Sequence, residues 1–332
     1  MIKRSIKSLL GRLGYRLVPL DPLFNGGRAF ELADRTLDWL RHQQDMLRHP
    51  AGMLTASEMG SVPAISGGLF FRSSLCTAAD FRHPEFKRWL TLLGEAPRLH
   101  RKIWEHVFIA AHVEAAGLLA PGNRGLGFGV GLEPLPSAFA KHGAAVLATD
   151  ADVELAVNAG WAATGQHSKT AAELFQEKIC DRESFDRLVE YETCDMNHIS
   201  THLRDFDFCW SSCSLEHLGS LAAGEAFIRN SLATLRPGGI AVHTTEYNIS
   251  SNEETIDNNP SLNIFRRKDI EGIVSRLAKD GHSVAPVCFD VLSEPVDFFV
   301  DIPPYKSDAH LRLALGPFVC TSIGLVIQKS RS

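Results

Sequence analysis

Arg124-Gly-Leu-Gly-Phe-Gly-Val-Gly-Leu-Glu133 and, after an apolar, Ala-rich stretch, Ala144-Ala-Val-Leu-Ala-Thr-Asp150 decide how this chain folds. Gly127, Gly129 and Gly131 alternate at the end of a short apolar run. Glycine there permits a tight strand-to-helix turn and lets a ligand lie close to the backbone. The second apolar run stops on Asp150, one βα unit later, where a ribose would present its hydroxyls. The two runs therefore read as part of a doubly wound sheet that holds a nucleoside-containing cofactor. A dinucleotide fingerprint, G-x-G-x-x-G, needs a third glycine for close helix–strand packing. Counted from Gly127 that position is Leu132, and counted from Gly129 it is Pro134. Neither fits, so the turn suits a smaller cofactor that has an amino-acid tail and no pyrophosphate.

At these residues the chain resembles the class I S-adenosylmethionine-dependent methyltransferases, whose first motif is G-x-G-x-G after strand one. On that alignment Gly129 and Gly131 are the first two glycines, Glu133 replaces the third, and Gly127 stands where most members carry an acid. The resemblance implies that Gly127, Gly129, Gly131 and Glu133 hold the cofactor's amino-acid end, with Glu133 in place of the missing acid beside its ammonium. It implies Asp150 at the ribose. Tyr191-Glu-Thr-Cys-Asp195-Met196 is similar to the family's third strand, which ends in an acid and an apolar residue beside the adenine. Asp205-Phe-Asp-Phe-Cys-Trp-Ser211-Ser212-Cys-Ser-Leu-Glu216-His217-Leu218 resembles the fourth strand and its S-x-LEH-L loop, which implies Ser211 and Ser212 on the cofactor side. Leu235-Arg-Pro-Gly-Gly239 and Ile240-Ala-Val-His-Thr-Thr245 match the turn into strand five, with Pro237 and the glycine pair stopping the helix before it. The four landmarks fall in the family's order across residues 120–245, and the likeness is weaker outside them.

The fold this implies is α/β: a seven-stranded, mostly parallel sheet with an antiparallel strand seven, preceded by a mostly helical N-terminal extension. Strands are expected near 125–129, 145–149, 188–194, 206–211 and 239–245, with Val284–Val291 and Phe318–Gln328 as strands six and seven. A helix is expected over His100–Leu119, ended by Pro121-Gly122, and another carries Ile270, Ile273, Val274 and Leu277 on one face, ended by Gly281. Asp269 fits the first turn of that second helix. One helix and a polar connection (Thr164–Thr170) are expected between Ala151 and Phe185. Residues 1–95 read as an extension with a loop-like Gly52–Gly68 region, and 96–332 as the cofactor-binding domain, with substrate-side insertions near 246–268 and 292–317. The polar segment from Glu246 to Pro260 reads as a mobile loop over an active site.

Composition supports an enzyme with an ordinary core: 45% hydrophobic and 22% charged residues. A formal charge of −5 excludes the concentrated basic surface that broad nucleic-acid binding needs. Seven cysteines without a C-x-x-C fit neither a disulfide framework nor a zinc site, so a reducing cytoplasm and no bound metal are expected. No apolar run is long enough for a membrane span. Ile2, Ile6, Leu9, Leu10 and Leu13 alternate with Lys3, Arg4, Lys7, Arg12 and Arg16 at helical spacing. A basic amphipathic helix of this kind at residues 1–16 suits peripheral contact with an inner membrane surface, and equally packing on its own domain or on a second subunit of a homo-oligomer.

Ligands in such sheets bind beyond the carboxyl ends of the strands, which selects residues after strands four and five. His217, His243, Glu246 and Tyr247 lie there. Glu246 or His217 is the expected base for a hydroxyl acceptor, while His243, inside an apolar strand, reads as a satisfied core histidine. Pro303-Pro-Tyr305 reads as a rigid turn. The basic start and Phe265-Arg-Arg-Lys-Asp269 extend the likeness loosely to bacterial methyltransferases associated with cell-surface saccharides, which implies a sugar, a glycan or another small hydroxyl compound as acceptor. Two other readings share the glycine turn: an NAD(P)-dependent oxidoreductase, which should show a Tyr-x-x-x-Lys relay, and a non-catalytic methyltransferase-like binding partner.

Overall fold

The computed structural model describes residues 72–152, 167–290, 294–305 and 309–331, all within one compact unit that begins at Ser61. The basic start, the Gly52–Gly68 region and most of the stretch between Ala151 and His167 lie outside the described residues. Seven strands carry the sheet: β1 (Arg124–Phe128), β2 (Ala145–Asp150), β3 (Val189–Thr193), β4 (Phe206–Ser212), β5 (Leu235–Asn248), β6 (Arg312–Leu315) and β7 (Phe318–Gln328). Their order across the sheet is β6-β7-β5-β4-β1-β2-β3. Strands β1 to β5 run parallel to one another, and β7 runs antiparallel to β5 and β6. The order reverses between β1 and β4, which is the switch point where such sheets bind ligands.

Each face of the sheet is covered by helices with their own apolar core. On one face lie α1 (Pro84–Leu92), α2 (Arg101–Ala115) and α3 (Leu135–Lys141), packed around Trp89, Trp104, Phe108, Phe139 and Trp210. On the other lie α5 (Leu221–Ala233) and α6 (Arg267–Lys279), with Phe128, Phe227, Ile270 and Leu325 in their core. The short helix α4 (Arg182–Leu188) leads into β3 and is capped by Asp181, whose carboxylate accepts the Ser184 N–H at 2.8 Å. In α6 the expected face is buried at Ile270, Ile273 and Leu277, Asp269 closes the first turn by accepting the Arg266 N–H at 2.8 Å, and Gly281 stops the helix.

Three local expectations are corrected. The helix starting after His100 ends at Ala115, short of Pro121, because Gly117 takes a left-handed backbone and its N–H turns back to the Glu114 carbonyl. Val284–Val291 is not one strand: Pro286 interrupts it, leaving the two-residue pieces Ser283–Val284 and Val287–Cys288. The outer side of β7 is instead paired in turn by Ser283–Val284, by Ser73–Leu75 and by β6. Finally, the polar segment after β5 uses its side chains internally. Asn248 Oδ1 accepts the N–H groups of Ser250 and Ser251, Asp257 accepts the Leu221 N–H, and Asn263 donates to the Glu216 carbonyl. Those bonds tie the segment down rather than leaving it a loose cover. Among the described residues no helix is long and apolar enough to cross a membrane.

Candidate active site

The turn after β1 is shaped by backbone geometry. Gly129 and Gly131 have φ of 58° and 53°, a region that costs an L-residue roughly 1–2 kcal/mol. At Gly129 the space is closed as well: a Cβ there would lie 2.8 Å from Ser214 Oγ and 3.2 Å from Met196 Sδ. Only glycine lets the chain pass between these side chains. Ser214 Oγ also donates to the Gly129 carbonyl at 3.0 Å, so the loop after β4 braces the turn after β1. Ser214 occupies the variable position of the S-x-LEH-L pattern, with Cys213 where the pattern has serine, so the motif carries no signal for this contact.

Asp150 holds the other side of the turn. Its Oδ2 accepts the Gly131 N–H at 3.1 Å and both the N–H and hydroxyl of Ser168, while Oδ1 accepts the Ala151 N–H at 2.8 Å. Oδ1, with a single acceptor contact, keeps capacity for a further donor. Asp195 sits at the next strand end, where Cys194 N–H donates to the Asp150 carbonyl at 2.8 Å. The Asp195 carboxylate accepts the Asn197 N–H and pairs with His198 Nδ1 at 2.7 Å. Met196 is buried against the turn. Gly129, Gly131, Asp150 and Met196 are thus brought together, and Asp195 follows β3 with its carboxylate bonded to its own loop.

Gly127 and Glu133 meet through Trp210. A Cβ at Gly127 would lie 2.5 Å from the Trp210 ring, and the Trp210 indole N–H donates to Glu133 Oε1 at 2.5 Å. The indole of β4 fills the space in which most class I members carry an acid, and Glu133 is drawn onto it. Burial pushes the Glu133 carboxyl up to about 8 against the indole bond that lowers it. A buried cation beside it would restore the charge.

The serine pair divides. Ser212 faces α2 and its hydroxyl lies 3.2 Å from Glu105 Oε2, whereas Ser211 points to the opposite face, bonded to His243 at 2.9 Å. His243 Nε2 meets Ser231 Oγ at 3.0 Å, and burial lowers its pKa to about 3. It is the satisfied core histidine expected of its strand. Ser211 is fully buried in that core and is not brought to the turn.

Beyond β4 and β5 lies a buried charged network that the sequence did not show. Arg101, at the start of α2, donates to Glu105 Oε1 and to Ser322 Oγ at 3.1 Å each and forms an ion pair with Glu246 Oε1. Lys102 Nζ pairs with Glu105 Oε2 at 2.7 Å. Burial opposes the charge on Glu105, yet Lys102 and Arg101 hold it well below the usual carboxylate range. Glu246 is different. Its Oε2 is buried without a hydrogen-bond partner, and burial, with Glu216 and Glu105 nearby, pushes it up to about 7 despite Arg101. Ligand atoms of Cys213, Glu216 and Glu246 lie within 4.8 Å of one another. The Arg101 guanidinium already touches two of these three side chains, with Nη1 3.7 Å from Cys213 Sγ. Cys213 itself is held at φ 47°, its N–H donating to the Thr244 carbonyl. His217 Nδ1 lies 2.5 Å from the Ser261 carbonyl, tying the segment after β5 to the loop after β4.

Residues 125–243 match a protein-family model described as "Methyltransferase domain". No curated protein matches the chain. Among solved structures it is similar to magnesium protoporphyrin IX methyltransferase (ChlM) from Synechocystis PCC 6803 with bound SAH, at 15% identity over 75% of this chain and 96% of that one, with a TM-score of 0.41. It is also similar to a SAM-dependent methyltransferase from Methanosarcina mazei (14% identity, 66% and 98% covered, TM-score 0.40). The glycopeptide N-methyltransferase MtfA is 13% identical, with 70% and 97% covered and a TM-score of 0.40. The family match and the strand order agree on a Rossmann-like fold for residues 125–243, and the matched family uses S-adenosylmethionine as cofactor.

Proposed function

We propose that the chain is an S-adenosylmethionine-dependent methyltransferase that methylates a hydroxyl on a sugar, a glycan or another small acceptor. The observation that supports it most is the presence of two features on one sheet: a glycine turn after β1 that excludes side chains, and an unpartnered carboxylate oxygen on Glu246 near the end of β5. S-adenosylmethionine supplies an activated methyl group when bound. Gly129 and Gly131 would hold its amino-acid end, Asp150 its ribose, and Asp195 with Met196 its adenine. Glu133 gives up its proton to face the ammonium.

The remaining work falls to the chain's own acceptor-side residues. Holding the acceptor in line with the methyl group supplies much of the acceleration. Arg101 fixes Glu246 by one oxygen, which leaves Oε2 without a partner and able to take the hydroxyl proton as the acceptor oxygen bonds the methyl carbon and the methyl–sulfur bond breaks, the neutral thioether being the leaving group. A carboxyl near neutrality is matched to that task, because it is both able to accept a proton and able to release it at cellular pH. His217, committed to Ser261, is the weaker of the two candidate bases. The basic start would bring the enzyme to an anionic membrane surface, where lipid-linked glycans are found.

Label transfer from radioactive S-adenosylmethionine into fractionated cell-envelope extract tests this reading. The expected result is label in a saccharide fraction, reduced by about 10²-fold in Glu246→Gln and by less than about threefold in His217→Gln. Tight NAD binding with no calorimetric response to S-adenosylmethionine would overturn it. Cofactor binding with no label in any fraction would favour a non-catalytic partner instead.

A further inference from the structure

We propose that the rim formed by Tyr305, His310 and Asp301 is the recognition site for a polyhydroxylated ring, with the apolar face of a sugar on Tyr305 and one of its hydroxyls donating to Nε2 of His310. This deepens the methyltransferase reading and rests on it.

The strap that carries these residues is registered against the acceptor side. Ala309–His310 pairs in parallel with Leu99–His100, which sets His310 opposite His100. The next residue is Arg101, whose guanidinium holds Glu246. The two imidazoles stack with centroids 4.7 Å apart at 30°. On its far side His310 Nδ1 lies 2.8 Å from Asp301 Oδ2, and both residues are buried. A carboxylate there keeps the ring proton on Nδ1, so Nε2 offers a lone pair to a donor. His100 is fixed in its own way, its Nδ1 accepting the Lys102 N–H at 3.1 Å as the cap of α2. Burial, together with His310, lowers its pKa to about 4, so the stacked ring stays neutral.

Tyr305 completes the rim. Its ring stands edge-on to His310 with centroids 5.2 Å apart, and its hydroxyl donates to the Ala314 carbonyl at 2.7 Å. The ring is therefore held in one orientation while the residue remains 40% exposed. Burial, then the charge of Glu246, pushes its hydroxyl up to about 12, so it stays a neutral donor to that carbonyl. Among the described residues only Leu132, Phe299 and Tyr305 are large apolar side chains left exposed. One belongs to the cofactor turn and two to this strap.

These properties select a ligand class. An anion would meet the buried carboxylate of Asp301 behind His310, and a purely apolar ligand would waste an imidazole held by that carboxylate. A sugar ring matches both halves: its C–H face stacks on an aromatic ring, and its hydroxyls are donors for an acceptor nitrogen.

Saturation-transfer NMR with methyl glucoside, mannoside and galactoside in the presence of S-adenosylhomocysteine tests the proposal. Wild-type protein should saturate ring protons of at least one glycoside, and Tyr305→Ala and His310→Gln should each lower that signal by about fivefold or more. Asp301→Asn should lower it as well, by releasing the His310 tautomer. Calorimetry with S-adenosylhomocysteine should give unchanged affinity in all three variants, which also shows that they fold. No saturation of any glycoside, or equal saturation in wild type and variants, would overturn the rim while leaving the cofactor site intact. Failure of the wild type to bind S-adenosylhomocysteine would instead remove the methyltransferase reading itself.

Discussion

The two sides of the sheet edge are built from different materials. Around β1 and β2 the site is made of backbone: left-handed glycines, N–H groups and one buried carboxylate that accepts four of its neighbours' hydrogens. Around β4, β5 and β7 it is made of charges: Arg101 and Lys102 against Glu105, Glu216 and Glu246, with one carboxylate oxygen left over. The first side is satisfied before any ligand arrives and offers shape. The second is left one partner short, and an unmet buried oxygen is reactive capacity that a fully paired network lacks. On the proposed reading, binding falls to the rigid backbone side and proton transfer to the side with an unmet carboxylate oxygen.

Breaking the ion pair gives the largest expected effect. Arg101→Met leaves Glu105 and Glu246 buried with a lost partner and should cost about 3–5 kcal/mol in chemical denaturation. Combining it with Glu246→Met should recover most of that loss; if the double variant is no more stable than the single, the pair is not what holds the network.

A pH series separates Glu133 from the rest. Its folded pKa, about 8, lies above the ordinary value of 4.5, so the folded state binds the extra proton. The stability this contributes is complete below about 4.5 and is lost as pH rises through about 8. Relative to Glu133→Gln, the wild type should lose roughly 2 kcal/mol or more of unfolding free energy between pH 5 and 9. A constant difference across that window would show Glu133 to be an ordinary carboxylate.

Two changes sharpen the cofactor side. Gly129→Ala combines a left-handed backbone with a Cβ 2.8 Å from Ser214 Oγ, and it should weaken S-adenosylhomocysteine binding about tenfold by calorimetry, which corresponds to about 1.4 kcal/mol. Asp150→Ala removes the ribose acceptor and the bond to the Gly131 N–H, with an expected loss of several-fold from hydrogen bonds worth about 1 kcal/mol each. Unchanged affinity in both variants would move the cofactor away from the turn.

The sequence made the cofactor side readable because its chemistry is local. Alternating glycines, an acid at a strand end and a proline that stops a helix act within a few residues of where they stand. It was less readable where two local rules compete. Ser211 and Ser212 were read as one feature, although adjacent strand residues face opposite ways, and only Ser212 looks toward α2. Val284–Val291 was read as one apolar run, although Pro286 lies in its middle. In both cases the signal was present and was outweighed by a motif or a run of hydrophobicity.

From the order of residues alone followed the parallel sheet, the glycine turn at Gly129–Gly131 and the acid that ends the next strand at Asp150, since each depends on backbone preference and period. Tertiary structure alone decided that Arg101 meets Glu246, that Trp210 fills the space beside Gly127, and that Asp301, Tyr305 and His310 form one rim beside α2. Arg101 and Glu246, Gly127 and Trp210, and the rim and α2 are far apart in the chain, and only packing fixes which groups lose their water together.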